Sequence, residues 1–79
     1  MTRAQKLQWY ANQLMTDATT AEREGLSEAA VKAYLNAADI LLLLAKSEES
    51  YTAWKNYSDR AELCQKRARM LIAAAPKSE

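Results

Sequence analysis

The sequence contains no histidine and no phenylalanine, and it has only one cysteine, one glycine and one proline. Without histidine the chain cannot form a Ser-His-Asp triad, a Cys-His pair or a histidine-containing metal site. A single cysteine excludes a thiolate zinc site, and a single glycine excludes a glycine-rich phosphate loop. Because these common catalytic and cofactor-binding arrangements are missing, we predict a protein that is not an enzyme and that needs no cofactor or metal.

The sequence also has almost no excess of charge of either sign. Eleven basic and ten acidic residues are spread through the chain and give a net charge of +1. This balance predicts no nucleic-acid partner and no direct membrane insertion. The longest apolar run, Ala37–Ala45, contains Asp39 and is too short to span a bilayer. Polar and charged residues interrupt the N-terminus, which argues against a signal peptide. We therefore expect a soluble, cytoplasmic protein.

What the sequence does contain is apolar residues at the three- and four-residue spacing of a helical face. The longest such stripe comprises Tyr51, Trp54, Tyr57, Ala61, Cys64, Ala68, Leu71 and Ala75. A narrower, alanine-rich stripe precedes it, and the segment between the two is apolar around most of its circumference, which is typical of an inner helix that packs on two sides. The pattern predicts helices at about residues 3–24, 28–46 and 50–74.

Local signals mark the two breaks between these helices. Gly25 can adopt the left-handed conformation that ends a helix, and Ser27 is placed to cap the next one. Either Ser47 or Ser50 can cap the third helix. Because the links are short, neighbouring helices must run antiparallel. The prediction is an all-α, up-down-up three-helix bundle over residues 1–75, monomeric as an isolated domain, with residues 76–79 beginning a linker.

Two segments resemble MIT (microtubule interacting and trafficking) domains. The stretch from Ala21 to Asp39, which reads AEREGLSEAAVKAYLNAAD, resembles the family's junction between helices 1 and 2. The stretch from Tyr57 to Leu63, YSDRAEL, is similar to the family's Tyr-x-x-Arg-Ala-Glu signature in helix 3. Placing the signature on Arg60-Ala61-Glu62 makes the second connection about two turns shorter than is usual in the family, whereas Arg67-Ala68-Arg69 restores the length but loses the acid. Both registers remain open.

The resemblance implies a module that binds C-terminal tail peptides of ESCRT-III-type proteins and recruits its parent protein to them at membranes. The likeliest parent is an AAA-type ATPase of filament disassembly, although kinase, sorting-nexin and protease parents also occur in the family. MIT domains use two grooves. One, between helices 2 and 3, takes a helical motif anchored on a leucine, and the other, between helices 1 and 3, takes an extended, Pro-containing motif.

The resemblance and the helical spacing together favour the groove between helices 1 and 3. In the groove between helices 2 and 3 the family's leucine falls on Ser58 or Gln65, neither of which is apolar. The predicted peptide-binding residues are Ala11, Met15, Thr19, Asn56, Arg60, Leu63, Arg67 and Met70. A secondary groove comprises Ser58, Glu62, Gln65 and Arg69. The alternative function is a structural bundle that forms homo-oligomers by burying Met15, Leu63 and Met70.

Overall fold

The computed structural model describes residues 1–74, and in this part of the chain it contains three helices and no strands. Helix α1 spans Arg3–Arg23, α2 spans Ser27–Lys46 and α3 spans Tyr51–Ala74. Each boundary lies within one residue of the range predicted from the apolar spacing. The prediction of a linker at residues 76–79 lies outside the described residues, as does Ala75. The all-helical, three-helix fold class is confirmed.

Helix α2 is the inner helix, because it packs along both α1 and α3, whereas the backbones of α1 and α3 approach each other closely at few points. Three side-chain bonds cross between the outer helices and join Gln8 to Tyr57, Asn12 to Arg60 and Glu22 to Arg67. The partner numbers rise together, so the two outer helices run in the same direction. The chain therefore runs up, down and up again, and α2 is antiparallel to both α1 and α3.

A capping box begins α1. The Oγ1 atom of Thr2 accepts a hydrogen bond from the Gln5 backbone N–H at 3.1 Å, and the Gln5 Oε1 atom accepts one from the Thr2 backbone N–H at 2.9 Å. Two of the N–H groups that a helix start leaves unpaired are thereby satisfied. The sequence analysis did not identify this cap.

Gly25 ends α1 in the left-handed conformation predicted for it, with φ of 79°. Its N–H donates to the Glu22 carbonyl at 3.1 Å and the Leu26 N–H donates to the Ala21 carbonyl at 2.8 Å, the two bonds of a Schellman motif. The predicted cap at Ser27 is wrong. Leu26, with φ of −91° and ψ of 70°, takes the N-cap position without a side-chain bond, and Ser27 is the first helical residue of α2.

Ser50, one of the two candidates, caps α3. Its Oγ atom accepts from the Ala53 N–H at 3.4 Å, and the Glu48 carboxylate accepts from the Ser50 N–H at 3.3 Å. Ser47 acts on the preceding helix instead, where its hydroxyl donates to the Leu43 carbonyl at 3.2 Å. The four-residue connection therefore contains one serine that ends α2 and one that begins α3.

The core is built mainly from alanine, which lets the helices approach closely and leaves little buried volume per residue. Its buried members are Ala11, Ala18, Ala30, Ala37, Ala38, Leu41, Leu44, Ala45, Ala61, Cys64 and Ala68. The predicted stripe on α3 is buried only in its middle, because Tyr51 and Trp54 project beyond the end of α2 and are 70% and 44% exposed. With so small a core, many large apolar side chains remain at the surface.

None of the helices in residues 1–74 combines the length and the apolar character needed to cross a bilayer.

Candidate functional site

The candidate site is the α1/α3 groove, defined here by Asn12, Met15, Thr19 and Arg23 on α1 and by Arg60 and Arg67 on α3. Side chains rather than tight backbone packing connect the two helices along this line. Near one end the Gln8 amide donates to the Tyr57 hydroxyl at 2.6 Å, and one turn further the Arg60 guanidinium donates to the Asn12 side-chain oxygen at 2.8 Å. We call these two bonds the amide bridges.

At the other end of the groove, Glu22 joins all three helices. Its Oε1 atom accepts from the Tyr34 hydroxyl of α2 and from the Arg67 Nε atom of α3, both at 3.0 Å. The second carboxylate oxygen accepts from the other arm of the same guanidinium, which makes the ion pair bidentate. Bidentate pairs of this kind are geometrically specific, so we expect this carboxylate to fix the spacing of α1 and α3.

Between the amide bridges and the Glu22–Arg67 pair lies an open concave surface. All of its lining residues belong to α1, and they are Asn12, Met15, Thr16, Thr19, Thr20 and Arg23. A neighbouring depression is lined by Thr19, Glu22, Arg23, Tyr34 and Arg67. Thr19 and Arg23 belong to both, so they stand at the centre of the accessible groove. The exposed Arg23 has no ion-pair partner within residues 1–74, which leaves its charge available to a ligand.

Met15 supplies the apolar part of this surface. It is half-buried, packs against the core cluster and still lines the concave surface. The Thr19 hydroxyl donates to the Met15 carbonyl at 2.9 Å, which turns the hydroxyl toward its own helix and leaves the threonine methyl group to face outward. The α1/α3 groove therefore contains four of the predicted residues, Met15, Thr19, Arg60 and Arg67.

The remaining predicted groove residues are less favourably placed. Ala11 is fully buried in the core, so a peptide cannot contact it without rearrangement of the bundle. Leu63 and Met70 are 65% and 56% exposed and line neither depression. Asn56 is exposed and has no hydrogen-bond partner among the described residues. Leu63 and Met70 share one helical face with Arg60 and Arg67, which precede them by three residues.

The arginines expected to pair with a ligand already have partners within the chain. Arg60 binds Asn12 and Arg67 binds Glu22. Arg67 is paired with an acid, Glu22, whereas the bond from Arg60 to the neutral Asn12 amide leaves the Arg60 charge without an acidic partner in residues 1–74. Arg23 was missed in the sequence analysis because it falls within a charged run at the end of α1 that was interpreted as a helix terminus. Gln8, Asn12 and Glu22 were also missed, although their spacing with Met15 and Thr19 follows one helical stripe.

The secondary groove residues are split by exposure. Ser58 and Gln65 are half-buried on α3, while Glu62 and Arg69 are exposed. Ala61 and Ala68, which anchor the two possible registers of the helix 3 signature, are both buried. Burial therefore favours neither register.

Chemically reactive groups are few in residues 1–74. No group of three His, Cys, Asp or Glu side chains is arranged there to hold a metal ion. Cys64 is buried and free, and desolvation raises the pKa of its thiol, an effect that the nearby Arg60 charge opposes. A thiol whose pKa is raised is a poor nucleophile at neutral pH. What the groove offers is a surface for binding.

Comparisons of the chain with protein-family models, with curated proteins and with solved structures give no match.

Proposed function

We propose that this chain is an MIT-like, non-catalytic module that binds tail peptides of ESCRT-III-type proteins in the α1/α3 groove and so recruits a parent protein, an AAA ATPase, to them. The observation that carries the proposal is the open surface between the amide bridges and the Glu22–Arg67 pair. Side-chain bonds join the outer helices at its two ends, and on the α1 side the half-buried Met15 and the exposed Thr19 line the surface. In the cell the module would act in the cytoplasm, on assemblies at the membrane.

The composition of this surface suits a short extended peptide. Met15 offers an adaptable apolar contact, Asn12 offers an amide at one edge and Arg23 offers a charge at the other. An acidic residue of the peptide would bind Arg23, because Arg60 and Arg67 are occupied within the bundle. A small, shallow interface predicts a Kd of about 10–100 μM for a single motif, with avidity supplied by multiple copies.

The test is a titration of isotopically labelled protein with a Pro-containing ESCRT-III tail peptide, monitored by amide chemical shifts. We expect the largest changes at Met15, Thr19 and Arg23. Shifts confined to Ser58, Glu62 and Gln65 would move the binding site to the secondary groove. The absence of any shift at millimolar peptide would reject the proposal.

A steric variant sharpens the result. Thr19→Trp places a large side chain in the centre of the groove, and because Thr19 is exposed the core is untouched. We expect it to weaken peptide binding at least tenfold. The matched control is Thr52→Trp, the same substitution at an exposed position on the first turn of α3, which should bind normally. Met15→Asp is a weaker test, because Met15 also packs against the core.

A further inference from the structure

A second surface of α1 carries an ordered charge pattern that the peptide groove does not use. The α1 stripe, as we call it, consists of Arg3, Lys6, Tyr10, Gln13, Asp17 and Thr20 on α1 and of Glu24 at its C-cap, and every member is exposed. The residues follow one another in alternating steps of three and four, which places them on one face of the helix. A coiled-coil seam has the same spacing but apolar residues, so a contact through this mostly charged face must leave its charges exposed.

Charge is segregated along the stripe. Its first two residues, Arg3 and Lys6, are basic, and its charged residues in the second half, Asp17 and Glu24, are acidic. Within residues 1–74 none of the four forms an ion pair, since the ion pairs found there join Lys55 to Asp59 and Arg67 to Glu22. The stripe therefore presents opposite charges at its two ends without an ion pair to either, and the Gln13 amide donates to the Asp17 carboxylate at 3.4 Å.

The centre of the stripe is partly apolar. Tyr10 is 54% exposed and stacks edge-on against Trp9, also 54% exposed, with 5.2 Å between the ring centroids. Aromatic side chains exposed in this way are enriched at the centres of protein interfaces. Gln13, beside Tyr10 on the stripe, adds an amide next to this aromatic pair.

A helix face that is basic at one end, acidic at the other and aromatic between them is complementary to itself under a two-fold rotation. We propose that two copies of this chain associate through antiparallel α1 stripes. In that arrangement Lys6 of each copy faces Asp17 of the other, Arg3 lies toward the partner's acidic end, and the Trp9–Tyr10 pairs meet near the two-fold axis. Each charge contact occurs twice, and a parallel arrangement would oppose like charges instead.

The contacts favour a weak dimer. Exposed ion pairs contribute little to affinity and act mainly on register and orientation. We therefore expect a dimer Kd of roughly 0.1–1 mM that becomes tighter at low salt, because exposed charges are less screened there. The stripe is separate from Met15, Leu63 and Met70, so this dimer differs from the one considered from the sequence. It also departs from the monomer predicted for the isolated domain and leaves the α1/α3 groove open.

Sedimentation equilibrium of the full chain, from about 20 μM to 1 mM and at low and high salt, tests the proposal. A monomer–dimer equilibrium that tightens at low salt is expected. A chain that stays monomeric at the highest concentration in low salt would overturn it.

Charge reversal identifies the surface. Lys6→Glu and Asp17→Lys should each weaken the dimer roughly tenfold, because each turns two attractions into two repulsions. The double variant Lys6→Glu/Asp17→Lys should restore the original Kd, since it exchanges the two charges. Lys66→Glu, the same charge change at an exposed position on α3, is the control and should have no such effect. Failure of the double variant to recover dimerisation, with its helical circular dichroism intact, would rule out the antiparallel stripe.

Discussion

Arg67 of α3 holds Glu22 of α1 in a bidentate ion pair, and Tyr34 of α2 donates to the same carboxylate. The Arg67 Nε to Glu22 Oε1 distance is 3.0 Å, and the Glu22 side chain is only 21% exposed. One carboxylate thereby connects three helices whose shared core is made mostly of alanine. Because the core contains few large apolar side chains, we expect this polar connection to help set the distance between the helices.

Glu22→Gln tests this connection. Since the carboxylate accepts charge-assisted bonds while partly buried, we expect the free energy of unfolding to fall by about 1–2 kcal/mol. Urea denaturation measures it. Asp59→Asn is the matched control, because the Lys55–Asp59 pair is more than half exposed at both partners and its loss should cost less than about 0.5 kcal/mol. Equal costs for the two variants would contradict a special role for Glu22.

Gly25→Ala examines the turn between α1 and α2. No atom lies within 4 Å of the position that a Cβ atom would occupy, so the cost comes from the backbone, whose φ is 79°. We expect a loss of about 1–2 kcal/mol in the free energy of unfolding. Gly25→Asn should lose less, because asparagine tolerates this conformation better. An alanine variant as stable as the original would mean that the turn relaxes to another geometry.

Ala68→Leu tests how tightly the helices pack. Ala68 is fully buried on α3, so the larger side chain must push helices apart, and we expect a loss of about 1–3 kcal/mol. Ala73→Leu makes the same change at an exposed position of the same helix and should be close to neutral. Thermal unfolding followed by circular dichroism compares the two. A stable Ala68→Leu variant would show unfilled space beside α3.

The pKa of the Cys64 thiol makes stability depend on pH in the alkaline range. Burial raises this pKa in the folded chain, whereas the unfolded chain ionises near the ordinary value. As pH rises above that ordinary pKa, the thiol ionises in the unfolded chain before it ionises in the folded chain. Ionisation therefore stabilises the unfolded state, and the free energy of unfolding falls as pH rises. Below it the thiol contributes no pH dependence.

The corresponding measurement is a series of melting temperatures between pH 7 and pH 10. The chain should lose more stability across this range than Cys64→Ala, which lacks the thiol but retains the lysines and tyrosines. Parallel curves for the two proteins would show that the pKa of Cys64 does not differ between the folded and unfolded states.

The positions of the helices were predictable because they depend on local signals. The three- and four-residue apolar spacing predicted the helices, and Gly25 predicted the first break between them. Glycine marks this break because it adopts the left-handed conformation with little steric strain. The prediction of a cap at Ser27 was wrong for a related reason. Which residue begins a helix depends on how the preceding turn closes. Here the closure uses the hydrogen bond from the Leu26 backbone N–H to the Ala21 carbonyl, and a bond between backbone groups cannot be read from residue types.

The site was predictable only in part. Met15 and Thr19 line a surface depression on α1, and that a peptide binds there stays a prediction. Sequence spacing could not show that Arg60 and Arg67 are already bonded to α1, because those partners lie more than forty residues away in the chain. Ala11 is buried, as its place in the apolar stripe of α1 predicts, so its assignment to the groove was wrong.

The sequence alone thus determined three helices, their order and the composition of each face, because periodicity and chain breaks are properties of neighbouring residues. Only the tertiary structure decided which polar side chains meet across α1 and α3, and hence that Arg67 is paired with Glu22 while Arg23 and Arg60 have no acidic partner within residues 1–74. Contacts between distant residues depend on helix spacing and rotation, and in a core of alanines small shifts in either decide which side chains are close enough to bond.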